Sequence, residues 1–234
     1  MQFYHKLGQL PPIKPTQFLK ADGKSLYREE LVSSKGFSGV YSNRYHYNFP
    51  TAVKSAQTIN NMSHDKEWAD APVLFYHFFT HDKVSQGNFV TSRTTFLKNR
   101  HCIMSTAKVT EDTSDFFRNA FHNEYIFIHH GAGKLTSDYG NLEFVEGDQI
   151  VIPRCTTYQL KFNDYKNNRI LIVESDTAFE IPKHFRNDYG QLAEDAPYAE
   201  RDFKVPQSLD AFDKKGDFRM ILKAGDKYFE HILP

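Results

Sequence analysis

The 234-residue sequence lacks charge excess: 29 Lys+Arg balance 29 Asp+Glu, and the pI is about 7.2. Broad binding to nucleic acid or to an anionic membrane needs surplus positive charge, so neither is expected. Cysteine is scarce. Cys102 and Cys155 alone make neither a disulfide framework nor a zinc site, and they suit a reducing compartment. Long apolar runs are missing. Tyr125-Ile126-Phe127-Ile128 is among the longest and is far too short to cross a bilayer. The opening Met1-Gln2-Phe3-Tyr4-His5-Lys6 has no apolar signal core. A soluble, cytoplasmic protein is the expectation. No internal repeat is visible. Gly131-Ala132-Gly133 lacks the third glycine and the strand-to-helix setting of a phosphate loop, and no serine sits in a nucleophile elbow.

Aromatic residues, by contrast, are plentiful at 15%, with 21 Phe and 13 Tyr. They favour strands, and the chain is long enough to bury a sizeable core. Three zones follow from the pattern. Residues 1–70 are broken by Pro11, Pro12, Pro15 and Pro50 and read as an extended arm that packs on something else; the sequence admits a short helix over 52–61. Residues 71–176 read as successive short strands at 73–80, 89–97, 102–109, 124–130, 133–136, 142–145, 149–152, 158–162 and 170–173. Turn residues such as Asp138-Tyr139-Gly140-Asn141 and Gly147-Asp148 separate them. That spacing predicts a sandwich or barrel. Pro153 ends an apolar run, as a residue that cannot donate to a ladder should. Residues 177–234 form an extension. It ends in a hairpin over 218–233, turning at Ala224-Gly225-Asp226 and exposing an apolar strand edge.

The chemistry has to come from side chains, and the 11 histidines are the natural candidates. His77 and His81, if on a strand, stand roughly 13 Å apart, too far to share a metal. His129 and His130 are adjacent and expected on opposite faces of a strand. His122-Asn123-Glu124, a histidine and a carboxylate before an apolar strand, is the most ligand-like cluster.

Glu124, Gly131, Gly147, Asp148 and Pro153 match the scaffold of the two cupin motifs, G-x5-H-x-H-x3/4-E-x6-G and G-x5-P-x-G-x2-H-x3-N. Glu124 takes the glutamate position and Gly131 the closing glycine. The two histidine positions of the first motif fall on Phe117 and Asn119, or on Arg118 and Ala120. In the second motif Cys155 replaces the glycine and Tyr158 the histidine. The chain thus resembles a cupin that keeps only Glu124 of its metal ligands. Along its length it is also similar to the homogentisate 1,2-dioxygenase family. The resemblance is carried by Phe3-Tyr4-His5-Lys6-Leu7-Gly8, Gly36-Phe37-Ser38-Gly39, Tyr45-His46-x3-Pro50-Thr51, His77-x2-Thr80-His81 and Ile152-Pro153-Arg154-x-Thr156-Thr157-Tyr158. Pro15 and Cys155 depart from the family pattern.

This resemblance implies a mainly β fold, a cupin-like double-stranded β-sandwich or jelly roll with an irregular N-terminal arm and a C-terminal hairpin. It implies the N-terminal half of a two-cupin enzyme that opens the ring of homogentisate to maleylacetoacetate with Fe(II) and O2, in tyrosine and phenylalanine breakdown. The iron ligands of that family lie in the second cupin. No catalytic, cofactor or metal residue is therefore expected here, and no iron is expected on this chain. The implied partners are a missing C-terminal cupin half or neighbouring subunits, with a homo-oligomer in the whole enzyme. Two rival readings stand beside this one: a free-standing, non-catalytic cupin that binds a small ligand or partner, and a small metal enzyme built on His122, Glu124 and a distant histidine.

Overall fold

The computed structural model describes residues 18–35, 38–60, 62, 74–81, 85–206, 208 and 214–234. The motif at residues 3–8, Pro15, Gly36, Phe37 and Val73 lie outside them. Among the described residues fourteen strands are present: β1 (Arg28–Lys35), β2 (Ser38–His46), β3 (Ser55–Ile59), β4 (Arg93–Lys98), β5 (Cys102–Ala107), β6 (Phe116–Asn119), β7 (Asn123–His130), β8 (Gly133–Ser137), β9 (Gly140–Phe144), β10 (Gln149–Ile152), β11 (Thr157–Phe162), β12 (Arg169–Ser175), β13 (Phe218–Ala224) and β14 (Lys227–Leu233). Among the described residues, helix is confined to two short 3-10 turns, Lys183–Phe185 and Glu200–Asp202, and no helix is long and apolar enough to cross a membrane.

Two sheets face each other across the core. One runs β10-β7-β12-β5-β4 and the other β3-β14-β13-β6-β11-β8-β9. Alternation explains the packing. In β7, Ile126 and Ile128 are buried while Tyr125 and Phe127 are half-buried; in β12, Ile170 and Ile172 are buried likewise. These four isoleucines pair across the strands, Ile126 with Ile172 and Ile128 with Ile170. From the other sheet Phe117, Leu135, Tyr158, Leu160 and Ile221 meet them in one cluster. Burying each such side chain contributes about 1.5–3 kcal/mol. This is the jelly-roll arrangement of a cupin-like, mainly β protein.

Several segments differ from the sequence reading. The helix expected over 52–61 is absent over 52–60, residue 61 lying outside the described residues; β3 forms there because β14 offers it a ladder, from Ile59 opposite Tyr228 to Ser55 opposite Ile232. The expected strand at 73–80 is absent over 74–79, where Phe75 and Phe79 face solvent and find no ladder partner. The strand expected from 89 begins at Arg93. Asn88 Oδ1 accepts from the amides of Val90 and Thr91 and holds residues 88–92 in a turn. The hairpin β1–β2 and strand β6 were not foreseen. β6 is only four residues long, and it exists because β13, a hundred residues later, lies parallel to it. The C-terminal hairpin does not end the sheet, since β3 covers the edge of β14. The β1–β2 hairpin is tied to the sandwich by Arg44, which donates to Glu30 at 2.9 Å and to Asp138 at 2.8 Å.

Candidate functional site

Strand phase sends charge inward at one end of the core. Glu124 shares its face of β7 with Ile126 and Ile128, and Glu174 shares its face of β12 with Ile170 and Ile172. Glu124 and Glu174 are directly paired and each is 1% exposed. Opposite them, β13 contributes Lys223, in phase with Ile221, and β6 contributes Asn119, which pairs with Lys223. Tyr158 enters from β11. Arg93 enters from β4, aimed inward by the turn before it.

Arg93 is the hub. Its Nη1 donates to Glu124 at 2.7 Å and to Glu174 at 3.3 Å, its Nε to the Phe89 carbonyl and its Nη2 to the Tyr158 hydroxyl, both at 3.4 Å. The guanidinium lies 4.4 Å from the Phe89 ring and 4.7 Å from the Phe117 ring, and both rings meet Tyr158 edge-on. Lys223 donates to both oxygens of Glu174 at 2.7 Å, and Asn119 Nδ2 donates to Oε2 at 2.8 Å. Tyr158 donates to Glu124 Oε2 at 2.7 Å.

Two carboxylates and two cations leave the cluster formally neutral. Burial pulls the Arg93 guanidinium down, but Glu124, Tyr158 and Glu174 outweigh it and hold the group above its ordinary value. Burial also pushes Glu174 up, and Lys223 and Arg93 overcome it, leaving the carboxyl below its ordinary range. Burial, then Glu124, drives the Tyr158 hydroxyl well up, so it stays a proton donor. His122 Nδ1 lies 4.0 Å from Glu174 and is buried with no hydrogen-bond partner.

The remaining candidate residues are turn builders. Gly131 follows β7 at φ +103°. Gly147 sits at φ +88° in the turn between β9 and β10, where its amide donates to the Ile128 carbonyl at 2.8 Å. Asp148 Oδ2 accepts from the Val145 amide at 2.8 Å, and Pro153 O accepts from the Thr156 amide at 3.2 Å. These four surround the sheet ends, and Glu124 alone of the five lies in the ionic cluster. His129 and His130 do not point to opposite faces. Their rings stack 4.7 Å apart, because β7 ends at His130 and its register against β12 shifts between Arg169 and Ile170.

The comparisons with known proteins bear on this geometry. Residues 47–233 match the family described as homogentisate 1,2-dioxygenase N-terminal. The chain belongs to that family. A Saccharolobus solfataricus protein described as a "putative dioxygenase" is 39% identical over 225 residues, covering 95% of this chain and 56% of the relative. The chain thus spans about half the length of that curated relative. Among solved structures, the Schizosaccharomyces pombe Cnp3 cupin domain matches at 10% identity and TM-score 0.34, covering 36% of this chain and 63% of that one. A cupin-2 domain protein from Shewanella frigidimarina matches at 17% identity and TM-score 0.32, covering 36% and 79%.

Membership of a dioxygenase family raises the question of iron. The residues at the cupin ligand positions do not fit it. Glu124 has one oxygen on a guanidinium and the other on a phenol, Tyr158 donates rather than ligates, and Asn119 turns its Nδ2 to Glu174. A fixed cation already lies against the carboxylate that a metal would need. Sequence motifs missed Arg93, Glu174 and Lys223 because they come from three distant segments. The available signal was a charge in phase with buried isoleucines, as in Ile170-x-Ile172-x-Glu174 and Ile221-x-Lys223.

Proposed function

We propose that this chain is the non-catalytic N-terminal half of a homogentisate 1,2-dioxygenase-like enzyme. It builds the subunit and supports a second cupin that holds Fe(II) and carries out the ring opening with O2. The observation that carries the reading is the guanidinium of Arg93 lying 2.7 Å from Glu124, at the carboxylate position of the cupin motif. Family membership and the dioxygenase relative support the reaction class. The role of this half is then mechanical: a rigid, internally neutralised sandwich positions the reacting half, and rigid positioning is worth several kcal/mol in such chemistry.

The test is metal analysis together with an oxygen electrode. The purified chain is expected to hold no stoichiometric iron and to consume no O2 with homogentisate. One tightly held iron per chain with turnover would overturn the proposal and return His122 and Glu124 to the role of ligands.

A further inference from the structure

Two arginines begin strands of the same sheet and are deeply buried, yet their surroundings are opposite. Arg93 has two carboxylates. Arg169, the first residue of β12, is 9% exposed, and its Nη2 donates to the His81 carbonyl at 3.0 Å. Among the described residues no carboxylate forms an ion pair with it. Arginine is almost never buried without a counter-charge, because leaving a desolvated cation unpaired is costly.

Arg169 borders an open depression of about 580 Å³, counted out to solvent and lined also by His81, Gln86, Lys108, His130 and Asn167. It lies where β5 and β7 end and β12 begins. Arg169 pairs with His130, and Lys108 directly follows the last residue of β5. His130 lies six positions along β7 from Glu124, roughly 20 Å, so this is a different place from the Arg93 cluster. Among the described residues the lining holds two cationic side chains, two imidazoles and neutral polar groups, and no carboxylate. Glu146 is exposed and engaged with His130 at 3.2 Å. Among the described residues Lys108 has no ion-pair partner either. Thr110 and Asn168 complete the wall, but their side chains are committed to Gly87 and to Val109 and Asp164. Recognition therefore falls to Arg169 and Lys108. A guanidinium offers a planar fork of donors that matches an oxyanion in two-point fashion, and an ammonium beside it adds charge without geometry.

We propose that this depression binds the oxyanion group, carboxylate or phosphate, of a small molecule, held by Arg169 and Lys108. The proposal does not depend on which half of an enzyme this chain forms. Calorimetry and thermal melts of the full chain with inorganic phosphate, acetate and chloride at matched ionic strength test it. Saturable binding of phosphate or acetate, but not chloride, is expected, and the better of the two identifies the chemistry. Arg169→Gln should weaken that binding by about tenfold or more, and Lys108→Gln should weaken it measurably. Amide shifts at Asn167 and Arg169 should follow the titration. If Arg169→Gln does not fold, Lys108→Gln on a partly exposed position decides the matter. Absence of saturable binding by either oxyanion overturns the proposal, as does unchanged affinity in the variants that fold.

Discussion

Glu124 and Glu174 stand opposite each other on β7 and β12, both sealed from solvent, and a single nitrogen of Arg93 lies 2.7 Å from one and 3.3 Å from the other. Two like charges at paired positions would repel strongly without that nitrogen. The core at this end is therefore held by compensation rather than by apolar contact.

Replacing Arg93 with Met keeps the volume and removes the charge. It leaves Glu124 facing Glu174 with only Lys223 to offset the pair. Loss of one partner from a buried ionic cluster costs about 3–5 kcal/mol. Urea denaturation of Arg93→Met should show a loss of that size, and a midpoint equal to wild type would mean that the cluster contributes nothing to stability.

The depressed carboxyl of Glu174 fixes a pH direction. A group whose folded value lies below its unfolded value of 4.5 stabilises the fold above that pH, and the contribution is lost as pH falls through the folded value. Glu174→Gln should therefore be less stable than wild type at pH 7, and the gap should narrow progressively below pH 4.5. A gap that stays constant down to pH 3 would contradict the assignment.

Two glycines should resist substitution for different reasons. Gly147 has open space around its Cα but a left-handed φ of +88°, so Gly147→Val should cost more than about 1 kcal/mol through backbone strain. Gly133 has an ordinary backbone but no room: an added Cβ would lie 2.0 Å from the Lys161 carbonyl oxygen and 2.6 Å from the Phe144 ring. Gly133→Ala should cost about 1–3 kcal/mol by overpacking. Melting curves of both variants check this, and wild-type curves would refute each mechanism separately.

Cys155 occupies a position where the cupin motif has glycine, and it adopts φ +65°. Left-handed backbone is unfavourable for a residue with a Cβ, and glycine relieves most of that at some entropic cost. Cys155→Gly should raise stability by about 0.5–1 kcal/mol, or about 1–4 °C in melting temperature for a domain of this size. A lower melting point would show that the thiol, which lies 3.6 Å from the Ala120 carbonyl, matters more than the strain.

Apolar, β-prone strands set off by clear turn signals were legible. The sequence bounds 149–152 and 227–233 coincide with Gln149–Ile152 and Lys227–Leu233, each preceded by a glycine-containing turn. Segments whose state depends on a distant partner were not. Ser55–Ile59 has no periodicity of its own and becomes a strand through β14, while the aromatic run before Thr80 has strand-like composition and no ladder partner among the described residues. The site divides the same way. Glu124 was found through a local motif. Arg93, Glu174 and Lys223 form a cluster only because three separate strands bring them to one level of the core, and no local pattern encodes that level.

The pairing of β3 with β14 also sets an order of events. Gln57 and Glu230, joined by a hydrogen bond across those strands, are 173 positions apart in the chain. At ordinary translation speeds of about 5–20 residues per second that interval is roughly 9–35 s. Throughout it β3 has no ladder to join, and the edge it will cover does not exist. Among the described residues β14 is the ladder partner of β3, so this edge of the sheet can close only after β14 has been made. Residues 55–59, made of Ser, Ala, Gln, Thr and a single Ile, present little apolar surface during that time.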